Sequence, residues 1–340
     1  MTAHETSKRV TVAEIARAAG VSVPTVSRVL NGRADVAPET RERVEDLLRQ
    51  HGYRRRGTSR GGSARLVDLV FNDLDSPWAV EIIRGAESVA HAAGIGVVIS
   101  AVHRHEPAAR QWLDNVRARS SDGVVLVTSE LDPSIQAELD RLRVPTVIVD
   151  ASGGSPLNAP TIGATNWAGG LSATQHLLDL GHTRIGVIAG PPHLMCSRAR
   201  IDGHRAAMES RGLALDPALT YVGDFYHESG FEGGKALLSG PRRPTAIFAS
   251  SDQMALGVYE AVRQSDLRIP DDVSIVGFDD LPGTPWSSPP LTTVRQPLVE
   301  MGMLAVRMIL RLLSGEELES PRVELATELV IRASTAPPPA

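Results

Sequence analysis

Apolar residues recur at helical spacing in three short segments near the N-terminus. Val12, Ile15, Ala16 and Ala19 share one face of a segment that Thr11 caps, with Glu14 three residues on as in a capping box, and Gly20 stops it. Ser22 caps a second segment that tolerates Pro24 in its first turn, carries Val26, Val29 and Leu30 on its apolar face, and ends at Asn31-Gly32. A third runs from Pro38 or Glu39 to about Gln50, burying Val44, Leu47 and Leu48 before Gly52. Two short helices across a Gly-Val-Ser turn predict a helix-turn-helix, and the all-α bundle is complete by residue 53.

Residues 54–65 break this pattern. RRRGTSRGGSA has no apolar residue beyond one alanine and is dense in Gly and Arg, so it reads as a linker. From Leu66 onward, apolar runs suited to strands (66–71, 96–100, 123–127, 146–149) alternate with helical patterns centred near Ile83, Trp112 and Leu139. The alternation restarts with helices over 165–180, 199–210 and 252–264 and strands over 185–189, 246–249 and 273–276. A helix over 298–313 and a strand over 323–331 close the series. Such alternation predicts βαβ units in two α/β lobes, with ligand at the carboxyl ends of the strands. The expected division places about 66–162 with a segment near 281–296 in one lobe, and about 163–280 with 297–334 in the other. Three prolines in residues 335–340 read as a disordered tail.

Composition sharpens this reading. Of 340 residues 42% are hydrophobic and 4% aromatic, so the core is aliphatic and each aromatic side chain in a cleft carries more weight. The formal charge of -5 hides an asymmetry: residues 1–65 hold 13 Lys and Arg against 7 Asp and Glu, net +6, and the remainder is net -11. A basic segment joined to an acidic one places polyanion contact in the first segment alone. The single cysteine, Cys196, rules out a disulfide framework and a cysteine-based zinc site. The polar start Met1 to Arg9 and the lack of a long apolar run lead us to expect a cytoplasmic protein, neither exported nor membrane-spanning. There is no dinucleotide fingerprint and no H-E-x-x-H. The nearest phosphate-loop lookalike, Gly233-Gly234-Lys235-Ala236, lacks the first glycine and the hydroxyl, so no enzyme, cofactor or metal is expected.

TVAEIARAAGVSVPTVSRVLNG, Thr11 to Gly32, closely resembles the DNA-binding headpiece of the LacI/GalR family of bacterial repressors. The likeness continues through VAPETRERV, the Gly52-Tyr53 pair, GHTRIGVIAG, SRARIDGH, FASSDQMALGVYEAV, VSIVGFDD and LTTVRQP, in family order over nearly the whole chain. The resemblance implies a transcription factor whose two-lobed core resembles periplasmic sugar-binding proteins of type I. It places Val23 and Pro24 at the principal base-reading positions and Arg28 at a further one, where a guanidinium pairs with guanine O6 and N7. Thr11, Ser22, Thr25, Ser27 and Asn31 match phosphate-contacting positions. The linker departs from the family. Members carry Pro-Asn and then an Ala-Arg-x-Leu hinge helix whose leucines wedge into the minor groove, whereas this stretch is about three residues shorter and has no leucine. Arg54, Arg55, Arg56 and Arg60 are its candidates for a narrow minor groove, against the alternative of a charged tether.

In the core, the resemblance assigns effector contacts to Asp73, Trp78, Asp150, Arg200, Phe225, Asp279 and Gln296. It also assigns one to Ser251, at a position where many members have asparagine, with one hydroxyl in place of an amide. Aromatic faces ringed by carboxylates and one arginine suit a neutral sugar, and a net acidic core disfavours a phosphate. The expected function is a carbohydrate-gene repressor, working as a homodimer or tetramer on a pseudo-palindromic operator and released when a sugar binds. The alternative is a corepressor-dependent repressor sensing a purine-like metabolite. A transport-type sugar-binding protein, the third class, would have a signal peptide and no headpiece, so residues 1–53 argue against it.

Overall fold

The structure, a computed structural model, describes residues 11–30, 36–50, 64–102, 106–127, 133–150, 159–240 and 243–339. Asn31 and the linker arginines 54, 55, 56 and 60 lie outside the described residues. The chain divides into two compact units, 1–63 and 64–340.

The first unit contains α1 (Val12–Ala19), α2 (Val23–Leu30) and α3 (Pro38–Gln50). Thr11 and Glu14 form the expected capping box: the Glu14 amide donates to the Thr11 hydroxyl (3.3 Å) while the Glu14 carboxylate accepts from the Thr11 backbone (2.6 Å). Ile15, Val26 and Val44, one from each helix, are fully buried and meet in a small core with Ala16, Ala19, Val29 and Val36. Each contributes roughly 1.5–3 kcal/mol of burial, which holds helices too short to persist alone.

The second unit has two lobes. Its elements run β1 (Leu66–Phe71), α4 (Pro77–Ala92), β2 (Gly96–Ala101), α5 (Glu106–Arg119), β3 (Gly123–Val127), α6 (Pro133–Leu142), β4 (Thr146–Val149) and β5 (Thr161–Ala164). Next come α7 (Asn166–Asp179), β6 (Ile185–Ala189), α8 (Met195–Ser210), β7 (Thr220–Val222), α9 (His227–Leu238), β8 (Ala246–Ala249), α10 (Asp252–Gln264) and β9 (Ser274–Asp279). The last are β10 (Thr292–Arg295), α11 (Leu298–Ser314), β11 (Arg322–Leu325) and β12 (Glu328–Val330). One sheet has the order β11-β5-β4-β3-β1-β2 and is parallel throughout. The other has the order β12-β10-β9-β8-β6-β7, with only the β10–β12 pair antiparallel. The continuous apolar runs of the central strands follow from burial on both faces.

The expected division of the lobes is corrected at three places. Residues 292–295 belong to the second lobe, because β10 pairs with β9 in the register Thr292↔Val276 to Arg295↔Asp279. Helix α11 belongs to the first lobe, where Leu298, Met301, Ala305 and Val306 join the core of β1, β3 and α4. Gly302 permits that contact: a Cβ there would stand 2.1 Å from the Ile82 carbonyl oxygen. The single strand expected over 323–331 is two strands in different sheets, β11 beside β5 and β12 beside β10. The chain therefore crosses between lobes three times, at 164–166, 296–298 and 325–328.

The expected disordered tail is also corrected. Residues 335–339 lie along the second lobe. The Ala336 carbonyl accepts from His182 Nε2 (2.8 Å) and the Ser274 hydroxyl (3.0 Å), and the Thr335 hydroxyl pairs with His176 Nε2 (2.9 Å). Prolines lack an amide donor, and side chains of the lobe supply the bonds that hold this strap.

Candidate functional site

In the first unit, α2 separates the two kinds of residue it carries. Val26 and Val29 turn into the core, while Ser22, Val23, Pro24, Ser27 and Arg28 are exposed together on the opposite face. Val23 is 47% exposed. The Ser22 hydroxyl accepts from the Thr25 amide (3.3 Å) and pairs with the Thr25 hydroxyl (2.8 Å), fixing the start of the helix. Thr11 is likewise exposed at the start of α1.

In the second unit, a cavity of about 150 Å³ lies between the lobes at the carboxyl ends of the strands. Of the eight expected effector residues, seven line it: Asp73, Trp78 and Asp150 from the first lobe, and Arg200, Phe225, Ser251 and Asp279 from the second. Phe71, Val127 and Val149 add apolar surface to its first-lobe wall. Gln296 is the exception. It sits behind Asp279, donating from Nε2 to the carboxylate at 2.6 Å, and so orients a lining residue.

Arg200 forms the floor and is 3% exposed. Its Nε donates to Asn166 Oδ1 (2.8 Å) and its Nη1 to the Ser250 carbonyl (2.6 Å), with Asp279 Oδ1 at 3.8 Å. The guanidinium lies over Phe278 at 3.8 Å from the ring centroid and faces Phe225 at 5.5 Å. Burial pushes the Asp279 carboxyl up to about 6, against the opposing pull of Arg200 and the Gln296 amide. Behind it, burial and the neighbouring Asp279 push Asp252 up to about 8, although its oxygens accept from Thr293 (2.5 Å) and the Leu281 amide (2.7 Å). Asp150 is raised by loss of water, offset in part by Arg200 and by a hydrogen bond with the Cys196 thiol. Burial raises the Cys196 thiol out of the reactive range, so it borders the cavity as a small apolar group. In the GFDD motif the first aspartate faces the cavity, while Asp280 binds Arg295 (2.8 Å) and Arg332 (2.6 Å).

Phe225 is held at φ 77°, in the left-handed region that a bulky residue rarely occupies. Three bonds fix it there: Asp224 Oδ1 accepts from the Tyr226 amide (2.9 Å) and the Ser229 hydroxyl (2.5 Å), and the Phe225 carbonyl accepts from the Ser251 hydroxyl (2.8 Å). Gly190 gives its ring room, since a Cβ at that position would stand 2.1 Å from it. Ser251 thus serves as a strut and as the N-cap of α10, accepting from the Met254 amide at 3.1 Å.

Sequence reasoning missed four contributors, Asn166, Tyr226, Gln253 and Ser76. Asn166 begins α7 just past the first crossover and holds Arg200. Tyr226, next to Phe225, donates its hydroxyl across the cleft to Asp73 Oδ2 at 2.7 Å. Gln253 donates across it to the Ser76 hydroxyl at 3.2 Å. Strand-end and helix-start positions facing a cleft were the available signal for all four.

An exposed recognition helix on a small bundle, followed by a two-lobed cavity that buries an arginine among carboxylates, defines a DNA-binding protein with a ligand-sensing domain. Residues 11–56 match the lacI family of bacterial regulatory proteins, and residues 174–335 match the periplasmic binding protein-like domain. The chain is 33% identical over 331 residues to the ribose operon repressor of Escherichia coli K12, covering 95% of this chain and 99% of that one. It is equally identical over 340 residues to the transcriptional repressor CytR of the same strain, covering 98% and 99%. Among solved structures, a CelR–cellobiose complex superposes with a TM-score of 0.74 at 32% identity, covering 96% of this chain and 100% of that one. The lac repressor dimer bound to operator and ONPF gives 0.72 at 30%, covering 97% and 100%. The protein belongs to the lacI family of bacterial regulatory proteins. It is a DNA-binding transcriptional regulator and not an enzyme. No helix among the described residues is long and apolar enough to cross a membrane.

Proposed function

We propose that this protein represses carbohydrate uptake or catabolism genes from the bacterial cytoplasm and leaves its operator when a small neutral sugar enters the cleft. The observation that carries the reading is the floor of that cleft, where one buried arginine, held by Asn166 and the Ser250 carbonyl, stands near Asp150 and Asp279 in a cavity that Trp78 and Phe225 also line. Carboxylates accept from sugar hydroxyls, aromatic faces pack on a ring, and the converging carboxylates disfavour a phosphate. Relatives named for ribose and cellobiose support the same class.

A homodimer presents two headpieces to two half-sites of a pseudo-palindromic operator. On each, Val23 and Pro24 offer apolar contact to thymine methyls, and Arg28 reads a guanine. Thr11, Ser22, Thr25, Ser27 and Asn31 hold phosphates, and Arg54, Arg55 and Arg56 enter or line the minor groove in place of a leucine wedge. A sugar that prefers the lobe arrangement unsuited to DNA lowers operator affinity by its differential affinity for the two states. The test is a mobility-shift assay of the full chain on DNA flanking its own gene, with neutral sugars, phosphorylated sugars and purines added in turn. Release by a neutral sugar is expected. Tightening by a purine, or release by a phosphorylated sugar alone, would refute the reading.

A further inference from the structure

Two hydrogen bonds span the mouth of the cleft, and neither belongs to its buried floor. Tyr226, at the start of α9 in the second lobe, donates to the Asp73 carboxylate of the first lobe at 2.7 Å. Gln253, in the first turn of α10, donates to Ser76, the N-cap of α4, at 3.2 Å. All four side chains are half-exposed, whereas Arg200, Ser251 and Asp279 below them are at most 5% exposed. The cavity that these four residues line, together with the floor, measures about 150 Å³. An engineered protein cavity of roughly that volume, about 150 Å³, holds one benzene ring.

From this geometry we infer that the effector is a single sugar ring, and that Tyr226 with Asp73 forms a gate that excludes disaccharides. The inference rests on the carbohydrate reading above and narrows it. A single ring lies beneath both bridges, which re-form over it. A second ring, linked through the mouth, occupies the place of the Tyr226 phenol and leaves both bridges broken. A hydrogen bond to a charged group is worth at least about tenfold in affinity, so the Tyr226–Asp73 bond alone sets that much discrimination. Tyr226 contributes through its position at the mouth and Asp73 through its carboxylate, and neither is part of the Arg200 network on the floor.

The test is calorimetric titration of the full-length protein with D-ribose, D-xylose and D-glucose, and with cellobiose and maltose, which carry the glucose ring with a second one attached. The wild type is expected to bind one of the monosaccharides at least about tenfold more tightly than either disaccharide. Tyr226→Ala is expected to erase the difference by admitting the larger ligands. A disaccharide that binds the wild type as tightly as any monosaccharide overturns the gate while leaving the carbohydrate reading intact. Preserved discrimination in Tyr226→Ala removes Tyr226 from the role. Failure of all five sugars to bind both proteins overturns the carbohydrate reading, and the gate with it.

Discussion

Replacing Arg200 with alanine separates a ligand contact from a structural keystone. The side chain is 3% exposed, donates to Asn166 and to the Ser250 carbonyl, and stands 3.8 Å from both the Asp279 carboxylate and the Phe278 centroid. Truncation strands two buried acceptors and one carboxylate. Breaking a buried charge pair in this way costs about 3–5 kcal/mol, and partial protonation of Asp279 trims the loss toward the lower end. At roughly 2–4 °C per kcal/mol for a domain of this size, the melting temperature should fall by about 6–12 °C. The loss should also deepen as pH rises from 6 to 8. Arg200 pulls the Asp279 pKa down, so its removal raises that pKa further above the unfolded value. A carboxyl with a raised folded pKa binds more protons folded than unfolded, and its stability contribution is lost as pH climbs. Scanning calorimetry of the full chain at pH 6, 7 and 8 provides the measurement. A variant that melts with the wild type at all three values would show that Arg200 serves ligand alone.

The remaining predictions address single links. Arg28→Ala should weaken specific operator binding by about 1–3 kcal/mol, and an equal loss on random DNA in the same gel-shift series would reassign Arg28 to phosphates. Gly190→Ala places a methyl 2.1 Å from the Phe225 ring and should abolish the thermal shift given by the effector sugar at a stability cost of about 1–3 kcal/mol, so an unchanged shift would remove Phe225 from the site. Burial lowers His204 to about 4, so the unfolded chain binds its proton more readily and stability falls as pH drops below about 6.5. The stability advantage of wild type over His204→Gln, read from urea unfolding, should therefore shrink by about 2 kcal/mol between pH 7 and pH 5, and a constant gap would contradict the buried neutral imidazole.

Local pattern made the elements readable, and long-range contact decided their grouping. The capping box, the run Leu66–Phe71 and the apolar stripe of α11 each declare themselves within a few residues. Nothing within Thr292–Arg295 or Leu298–Ser314 says which lobe it joins, because both lobes alternate strand and helix in the same way. That assignment depends on β10 finding β9 and on Gly302 meeting Ile82, contacts separated by many residues. The same distinction divides the site. Residues that end strands and face the cleft, such as Asp150 and Asp279, were legible through motif and position. Partners of partners, such as Asn166 behind Arg200 or Tyr226 opposite Asp73, required the folded geometry. Gln296 belongs with them, since its motif marks it as part of the site but only its bond to Asp279 shows what it does there.

Two of these indirect partners, Asn166 and Gln296, sit where the lobes are joined. Asn166, which holds Arg200, follows Thr165 at the first crossover, and Gln296, which holds Asp279, begins the second. Thr165 is tied to the third crossover: its hydroxyl accepts from the Thr327 amide at 2.9 Å, and its carbonyl accepts from the Thr327 hydroxyl at 3.2 Å. Hydrogen bonds thus tie the cavity floor to the first and second connections, and the first connection to the third. Under the proposed function, a ligand that engages Arg200 or Asp279 also acts on the residues at the first and second connections between the lobes. Substituting Asn166 by alanine should then weaken the response of operator binding to sugar more than it weakens sugar binding itself. Calorimetry and gel shifts on the same variant measure the two quantities, and equal losses in both would show that Asn166 only positions Arg200 for ligand.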